Sequence, residues 1–222
     1  MTGMGGILVE HVYKSFGKEQ VLRDISMTIS PEEIVGVVGN NGSGKTVLMK
    51  CICGFLRPDQ GMVTVNGRRV GRDCDFPDSL GIIIETPGFI PSMSGYRNLK
   101  TLASLKGRIG KKEILEALDQ VGLSKSMYRA VGKYSLGMRQ RLGIAQAIME
   151  NPAVLVLDEP FNGLDKSTVE EMRQVLCERR EQGKAILLAS HNGEDIRILC
   201  DQVFEMDVER APLPPNGKER FI

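Results

Sequence analysis

A chain of 222 residues with 41% hydrophobic and 26% charged residues is globular, and it is long enough to bury roughly 70–75% of its unfolded surface. A net charge of +1 gives no electrostatic case for nucleic acid or anionic lipid as the main partner, and no apolar run approaches the roughly 18 residues of a bilayer span. The first residues lack the basic and apolar regions of a signal peptide. The five cysteines, an odd number without zinc spacing, read as reduced thiols, which points to the cytosol.

In chain order, Ile7–Tyr13 and Val21–Ile29 alternate imperfectly around the turn Phe16-Gly17-Lys18-Glu19, which predicts an antiparallel layer. The apolar run Glu33–Val38 reads as a buried strand leading into Gly39-Asn40-Asn41-Gly42-Ser43-Gly44-Lys45-Thr46, and Val47–Ile52 reads as the start of a helix. Met62–Val65, Asn66-Gly67 and Arg68–Val70 form a hairpin pattern with the dipeptide of a type I′ turn. Leu80–Ile84 is a continuous apolar run suited to a sheet buried on both faces.

From about Ser92 to Glu150 the spacing turns helical. Two helices stand out: one through Ile114, Leu118 and Val121 ending near Gly122, and one from about Gly137 to Met149 before Pro152. Together they make a helical insertion, about 88–150, into an α/β core. Strands return at Val154–Leu157 and Ala185–Ala189, separated by a helix near Lys166–Gln182, and a short helix near Gly193–Cys200 precedes a last strand pair near Val203–Val208. The tail from Arg210 is rich in proline and is expected to be loose. The whole of 1–222 is expected to be one domain with that helical subdomain.

The glycine stretch fits G-x-x-x-x-G-K-[ST], and the strand before it and helix after it are the context this pattern requires. Its glycines let consecutive N–H groups turn toward a polyphosphate, and the helix N-terminus adds partial positive charge. Lys45 would reach the β- and γ-phosphates, and the Thr46 hydroxyl would ligate Mg²⁺. The strand Val154–Leu157 runs into Asp158-Glu159-Pro160, two carboxylates at the strand edge where α/β folds place ligands. Asp158 suits the Mg²⁺ shell and Glu159 the attacking water. His191, after Ala189-Ser190, stands at another strand end, where an imidazole could hold the γ-phosphate, the water and Glu159 in line.

Tyr134-Ser135-Leu136-Gly137-Met138-Arg139-Gln140-Arg141 resembles the signature motif of ATP-binding cassette proteins, usually written LSGGQ-x-QR. Gly163-Leu164-Asp165 resembles that family's D-loop and His191 its H-loop, so the ordered motifs cover nearly the whole chain. The resemblance implies an ATPase with a P-loop NTPase core that binds ATP and Mg²⁺. It also implies a second cassette, identical or not, packed head to tail, with Ser135, Gly137 and the following helix tip on the partner's nucleotide. Phe16 sits where the family stacks an aromatic on adenine, with Tyr13 as substitute. Two departures stand out. Leu136 and Met138 replace a Gly and a Gln of the signature, and Glu85 stands where the family has a glutamine, as a possible Mg²⁺ ligand.

Both departures resemble the cassettes that serve bacitracin- and lantibiotic-type exporters. That implies a motor ATPase held at the inner face of the cell membrane by a permease, exporting a peptide antibiotic or other amphipathic compound. The segment Gly88–Met93, with Tyr96, would help to receive a helix of that permease. No C-terminal regulatory module is expected after the last strands. The rival class is a soluble cassette acting on ribosomes, DNA or a cytosolic complex. The paired cassettes of its translation-type members and the coiled coil of its repair-type members are not seen. A small-molecule kinase fails on the signature and on the Glu159–His191 pair.

Overall fold

The computed structural model describes residues 5–85 and 88–206. Two sheets carry the chain. In the first, β1 (Ile7–Phe16) and β2 (Glu19–Ile29) pair antiparallel around Gly17, whose φ of 61° is cheap only for glycine. After the central helix, β4 (Gln60–Val65) returns beside β1 and turns into β5 (Arg68–Arg69). Asn66 (φ 51°) and Gly67 (φ 74°) supply the two positive angles that a type I′ turn demands.

The second sheet is parallel throughout, in the order β6-β7-β8-β3-β9. It comprises β3 (Ile34–Val38), β6 (Leu80–Ile83), β7 (Val154–Asp158), β8 (Ala185–Ala189) and β9 (Gln202–Glu205). Its strands are apolar at successive positions because both faces are covered. Leu155, Leu157, Ile186 and Leu188 point into a core shared with the helices. Their neighbours Val154, Val156, Ala185 and Leu187 point into a second core, filled by α1 (Lys45–Ile52) and by Ile7, Val9 and Val63 of the antiparallel layer.

Among the described residues between β6 and β7 lie three α-helices, α2 (Gly95–Lys106), α3 (Lys111–Gln120) and α4 (Leu136–Ile148), with a single 3-10 turn at Val131–Lys133. The helix α2 was not separable by spacing within 92–150, yet its ends are marked: the Ser94 hydroxyl accepts from the Arg97 N–H at 3.3 Å, and Gly107 closes it with φ 63°. Gly122 (φ 66°) ends the α3 region, and Arg141 of α4 donates to the carbonyls of Val121 and Gly122 there. The helix α4 rests directly on β6. A Cβ on Gly81 would lie 2.0 Å from the Ala147 carbonyl oxygen.

After β7, α5 (Lys166–Glu181) runs to Gly183, and α6 (Gly193–Leu199) follows β8. The strand pair expected near 203–208 is corrected within the described residues to the single strand β9, which joins β3 in parallel; 207 and 208 lie outside them, as does the tail from Arg210. Burial pushes the Cys51 thiol up to about 11 and the thiols of Cys53 and Cys200 up to about 12, and all five cysteines are free. Among the described residues no helix is long and apolar enough to cross a membrane.

Candidate active site

Strand order builds the site. Because β8 lies between β7 and β3, the carboxyl ends of three adjacent parallel strands deliver Asp158-Glu159, Ser190-His191 and the glycine loop to one sheet edge. Residues more than 100 positions apart in sequence therefore become neighbours.

The glycine loop leaves β3 and enters α1 through Gly44, whose φ of 95° sets the first helical N–H groups toward the cleft. Val21 and Leu22 press against that position, where a Cβ would meet them at 3.0 Å. Gly42 (φ 89°) has open space where a side chain would stand. The Lys45 ammonium donates to the carbonyls of Gly39 and Asn40 at 2.5 and 2.9 Å, folding back over its own loop. The Ser43 hydroxyl is buried without a hydrogen-bond partner inside the protein. A buried donor left unmatched is costly, and a phosphate oxygen in the cradle is the group that would match it. The loop fits a polyphosphate on these grounds.

Beside the cradle the Thr46 hydroxyl donates to Asp158 Oδ2 at 2.7 Å. A hydroxyl and a carboxylate in contact are two hard oxygen donors, the partial set that Mg²⁺ takes from a protein when phosphates and water complete its octahedron. Glu85 borders the same cleft, but its Oε1 accepts from Lys50 Nζ of α1 at 2.5 Å, a partner the sequence did not indicate. Phe16, 47% exposed at the end of β1, forms the far wall with the Lys14 ammonium 5.6 Å from its ring centroid. The cleft so bounded has a volume of about 570 Å³.

Glu159 holds a φ of 49°, an uncommon conformation for a residue with a side chain, and three contacts hold it there. Its N–H donates to the Ala189 carbonyl at 2.9 Å. Its carboxylate meets His191 Nδ1 at 2.7 Å. Its own carbonyl and that of Pro160 both accept from the Gln140 amide at 3.0 Å. Gln140 was read from sequence only as part of a motif, and nothing in the spacing shows that its amide reaches across to β7.

His191 borders neighbouring hollows, one shared with Glu159 and one with Gly39 and Asn40, and Ser135 and Gly137 do not join the cleft either. Ser135 and Gly137 line a separate hollow of about 270 Å³ with Gly163, Leu164 and Asp165, and among the described residues only Leu136 borders both. The Ser135 hydroxyl caps α4, accepting from the Met138 N–H at 3.2 Å. Leu136, 56% exposed, covers Gly163, where a Cβ would lie 2.5 Å from its methyl. Asp165 caps α5. Hydrogen bonds from the Ser167 hydroxyl and from the backbone and hydroxyl of Thr168 hold its carboxyl at about 2.

Comparison with known proteins agrees with this geometry. Residues 22–162 match the ABC transporter family. YybJ of Bacillus subtilis, an ABC transporter ATP-binding protein without further characterisation, is 40% identical over 90% of this chain and 92% of its own length. The bacitracin transport ATP-binding protein BcrA of Enterococcus faecalis is 39% identical over 89% of this chain, which spans 65% of that protein. The lantibiotic transport ATP-binding protein SrtF of Streptococcus pyogenes is 34% identical over 87% of this chain and 83% of its own. Among solved structures, the ATP-binding subunit of an ABC transporter superposes with a TM-score of 0.82 at 25% identity, covering 90% of this chain and 85% of that one. A bacterial ABC transporter cassette solved as a dimer shares the fold, with a TM-score of 0.80 at 24% identity, 90% of this chain and 93% of that one. With a family match across most of the length and a phosphate cradle, paired carboxylates and histidine gathered at one sheet edge, this chain belongs to the ABC transporter family as an ATP-binding, ATP-hydrolysing cassette.

Proposed function

We propose that this cassette is the motor subunit of a membrane exporter for a peptide antibiotic or another amphipathic compound, working as one of two cassettes packed head to tail. The observation that carries the pairing is the division of the site between two surfaces. One hollow holds Lys45, Thr46, Asp158 and Glu159, and a different one holds Ser135 and Gly137. A second cassette turned end to end would set its serine-bearing helix tip over the phosphates held by the first. The bacitracin and lantibiotic relatives support the class of cargo.

In this reading residues 39–46 cradle the triphosphate, with the Lys45 ammonium leaving its own loop carbonyls for the β- and γ-phosphates, and Phe16 stacks on the adenine. Glu159 accepts a proton from the attacking water, and His191, in contact with its carboxylate, orients both. Thr46 and Asp158 would hold Mg²⁺, with Glu85 as a further ligand once it leaves Lys50. Bound there, the cation neutralises phosphate charge. Closure with ATP and opening after hydrolysis supply the conformational cycle.

Chain 1–222 acts as one cassette whose helical subdomain, about 88–150, receives a permease helix near Gly88–Met93 and Tyr96. That docking holds it at the inner face of the membrane. The test is co-purification and concentration dependence. A polytopic membrane protein retained on the tagged cassette, and an ATPase rate per chain that rises with concentration, are expected. Full activity as a strict monomer, or stimulation by ribosomes or nucleic acid in a membrane-free extract, would overturn the reading.

A further inference from the structure

Arg173 and Asp195 are the most deeply buried pair of opposite charges among the described residues, with side chains 10% and 3% exposed, and the chemistry above does not use them. Arg173 lies on α5, seven residues into the helix that Asp165 caps; Asp195 lies in the first turn of α6, just after His191. Both Nε and Nη2 of Arg173 donate to Asp195 Oδ1, at 3.0 and 2.5 Å. The other carboxylate oxygen accepts from the Ser190 hydroxyl at 3.0 Å, and that hydroxyl accepts from the Asn192 N–H at 3.1 Å. Both oxygens of the Asp195 carboxylate are thus engaged, one by Arg173 and the other by Ser190, and the Ser190 hydroxyl, immediately before His191, links on to the N–H of Asn192, immediately after it.

A buried ion pair is a poor way to gain stability, because the desolvation of two charges cancels much of their attraction and apolar residues of similar volume do as well. What the pair does supply is direction. Two guanidinium donors fix one oxygen of Asp195, its other oxygen holds the Ser190 hydroxyl, and that hydroxyl holds the Asn192 N–H, so the chain of bonds spans the turn of an imidazole that is itself 72% exposed and meets Glu159. Without such an anchor, the backbone turn that carries His191 loses the hydrogen bonds that bracket it.

Resting on the assignment of Glu159 and His191 as the acting pair, we propose that Arg173 and Asp195 are positioning residues for hydrolysis: they fix the turn that keeps His191 against Glu159, and they tie it to α5. Since Asp165 of the segment Gly163-Leu164-Asp165 caps α5, the pair also makes that segment and the histidine turn move as one body. Neither residue lines the cleft that holds Lys45 and Thr46.

The experiment compares the parent with Arg173→Lys, Arg173→Met and the double variant Arg173→Met/Asp195→Leu, which replaces the pair by apolar groups and so avoids a stranded buried carboxylate. The double variant is expected to melt within a few degrees of the parent, to keep its KM for ATP within about twofold and to lose about 10- to 100-fold in kcat, the effect of misplacing an acting group by an ångström. Arg173→Lys should recover part of that loss. Because the chain has only two histidines, His191 can be followed by ring NMR against a His11→Gln background. In the parent, Glu159→Gln should move the His191 ring resonances; in the double variant it should leave them in place. A double variant with parent kcat, or one in which Glu159→Gln still moves those resonances equally, would show the pair to be scaffold alone. If instead Glu159→Gln leaves turnover intact in the parent, the assignment of Glu159 fails, and the two failures are told apart.

Discussion

The Thr46 hydroxyl donates to Asp158 Oδ2 at 2.7 Å, joining the end of the phosphate loop to the end of β7. Two groups that share one cation lose the same thing when either is removed. Thr46→Ala and Asp158→Asn should each lower kcat by about 100-fold at fixed Mg²⁺, and the double variant should fall little further. Steady-state rates across the cycle check this. Effects that multiply would mean that the two side chains have separate tasks.

Glu159→Gln keeps the shape of the side chain and removes its ability to take a proton. ATP binding should persist while turnover drops by at least about 100-fold, and the variant should accumulate as a dimer in ATP but not in ADP. Size-exclusion chromatography with each nucleotide reads the second outcome. A variant hydrolysing at the parent rate would remove Glu159 from its assigned role.

Glu85 can serve Mg²⁺ only after parting from Lys50, 2.5 Å away. At 64% exposure of the Glu85 side chain the competition is weak. Lys50→Met should therefore lower the half-saturating Mg²⁺ concentration by about threefold, in keeping with the small value of solvent-exposed ion pairs. Glu85→Gln should leave ATP binding intact and raise that concentration. Superimposable Mg²⁺ titrations for parent and both variants would exclude Glu85 from the metal's surroundings.

Ser135 caps α4, and the phosphate contact proposed for it can be separated from that cap by substitution. Ser135→Ala removes the cap from the Met138 N–H and should cost about 1 kcal/mol of stability along with turnover. Ser135→Asp keeps a cap and should melt near the parent, yet its charge would oppose a neighbouring γ-phosphate and abolish the ATP-dependent dimer. A dimer that still forms with Ser135→Asp would rule out the serine as a phosphate contact.

The Asp165 carboxyl is held at about 2 against an ordinary value of 3.8, so between those two the folded protein binds fewer protons than the unfolded chain. Its contribution to stability is complete above about pH 4 and is lost as pH falls toward 2. Asp165→Asn retains a good cap and removes the titration, so its melting temperature should decline less than the parent's over that interval. Scanning calorimetry from about pH 5 to about pH 3 measures the difference. Equal declines would place the acid sensitivity elsewhere.

What could be read from sequence was whatever is encoded locally. Gly17, the Asn66-Gly67 dipeptide, Gly122 and Gly183 mark backbone positions with φ above 0, and each turned the chain where expected. Apolar runs such as Val154–Leu157 announced strands covered on both faces. The helix α2 escaped because its buried face carries Gly95 and Asn98 beside Leu99 and Ala103, which weakens the apolar pattern. Asn98 is 4% exposed, and its amide is consumed by the carbonyls of Ile90, Met93 and Ser94, a burial no hydropathy pattern reports. Contacts set by the tertiary fold were equally silent: Lys50 with Glu85, Arg173 with Asp195, and Gln140 with two carbonyls after β7. Each side chain is an ordinary surface type in sequence, and only the strand order brings its partner near.

The grip of Gln140 on the Glu159 and Pro160 carbonyls has a mechanical reading. The same rigid helix exposes its serine tip at one end, and roughly 7 Å along, at about 1.5 Å per residue, it clasps the peptide that bears the proton acceptor. In the proposed pair, load applied to the tip by a neighbour's triphosphate would be transmitted to the opposite chamber. In an assembled pair, each chamber would sense whether the other is filled, and firing in alternation or in unison becomes a property of one short lever.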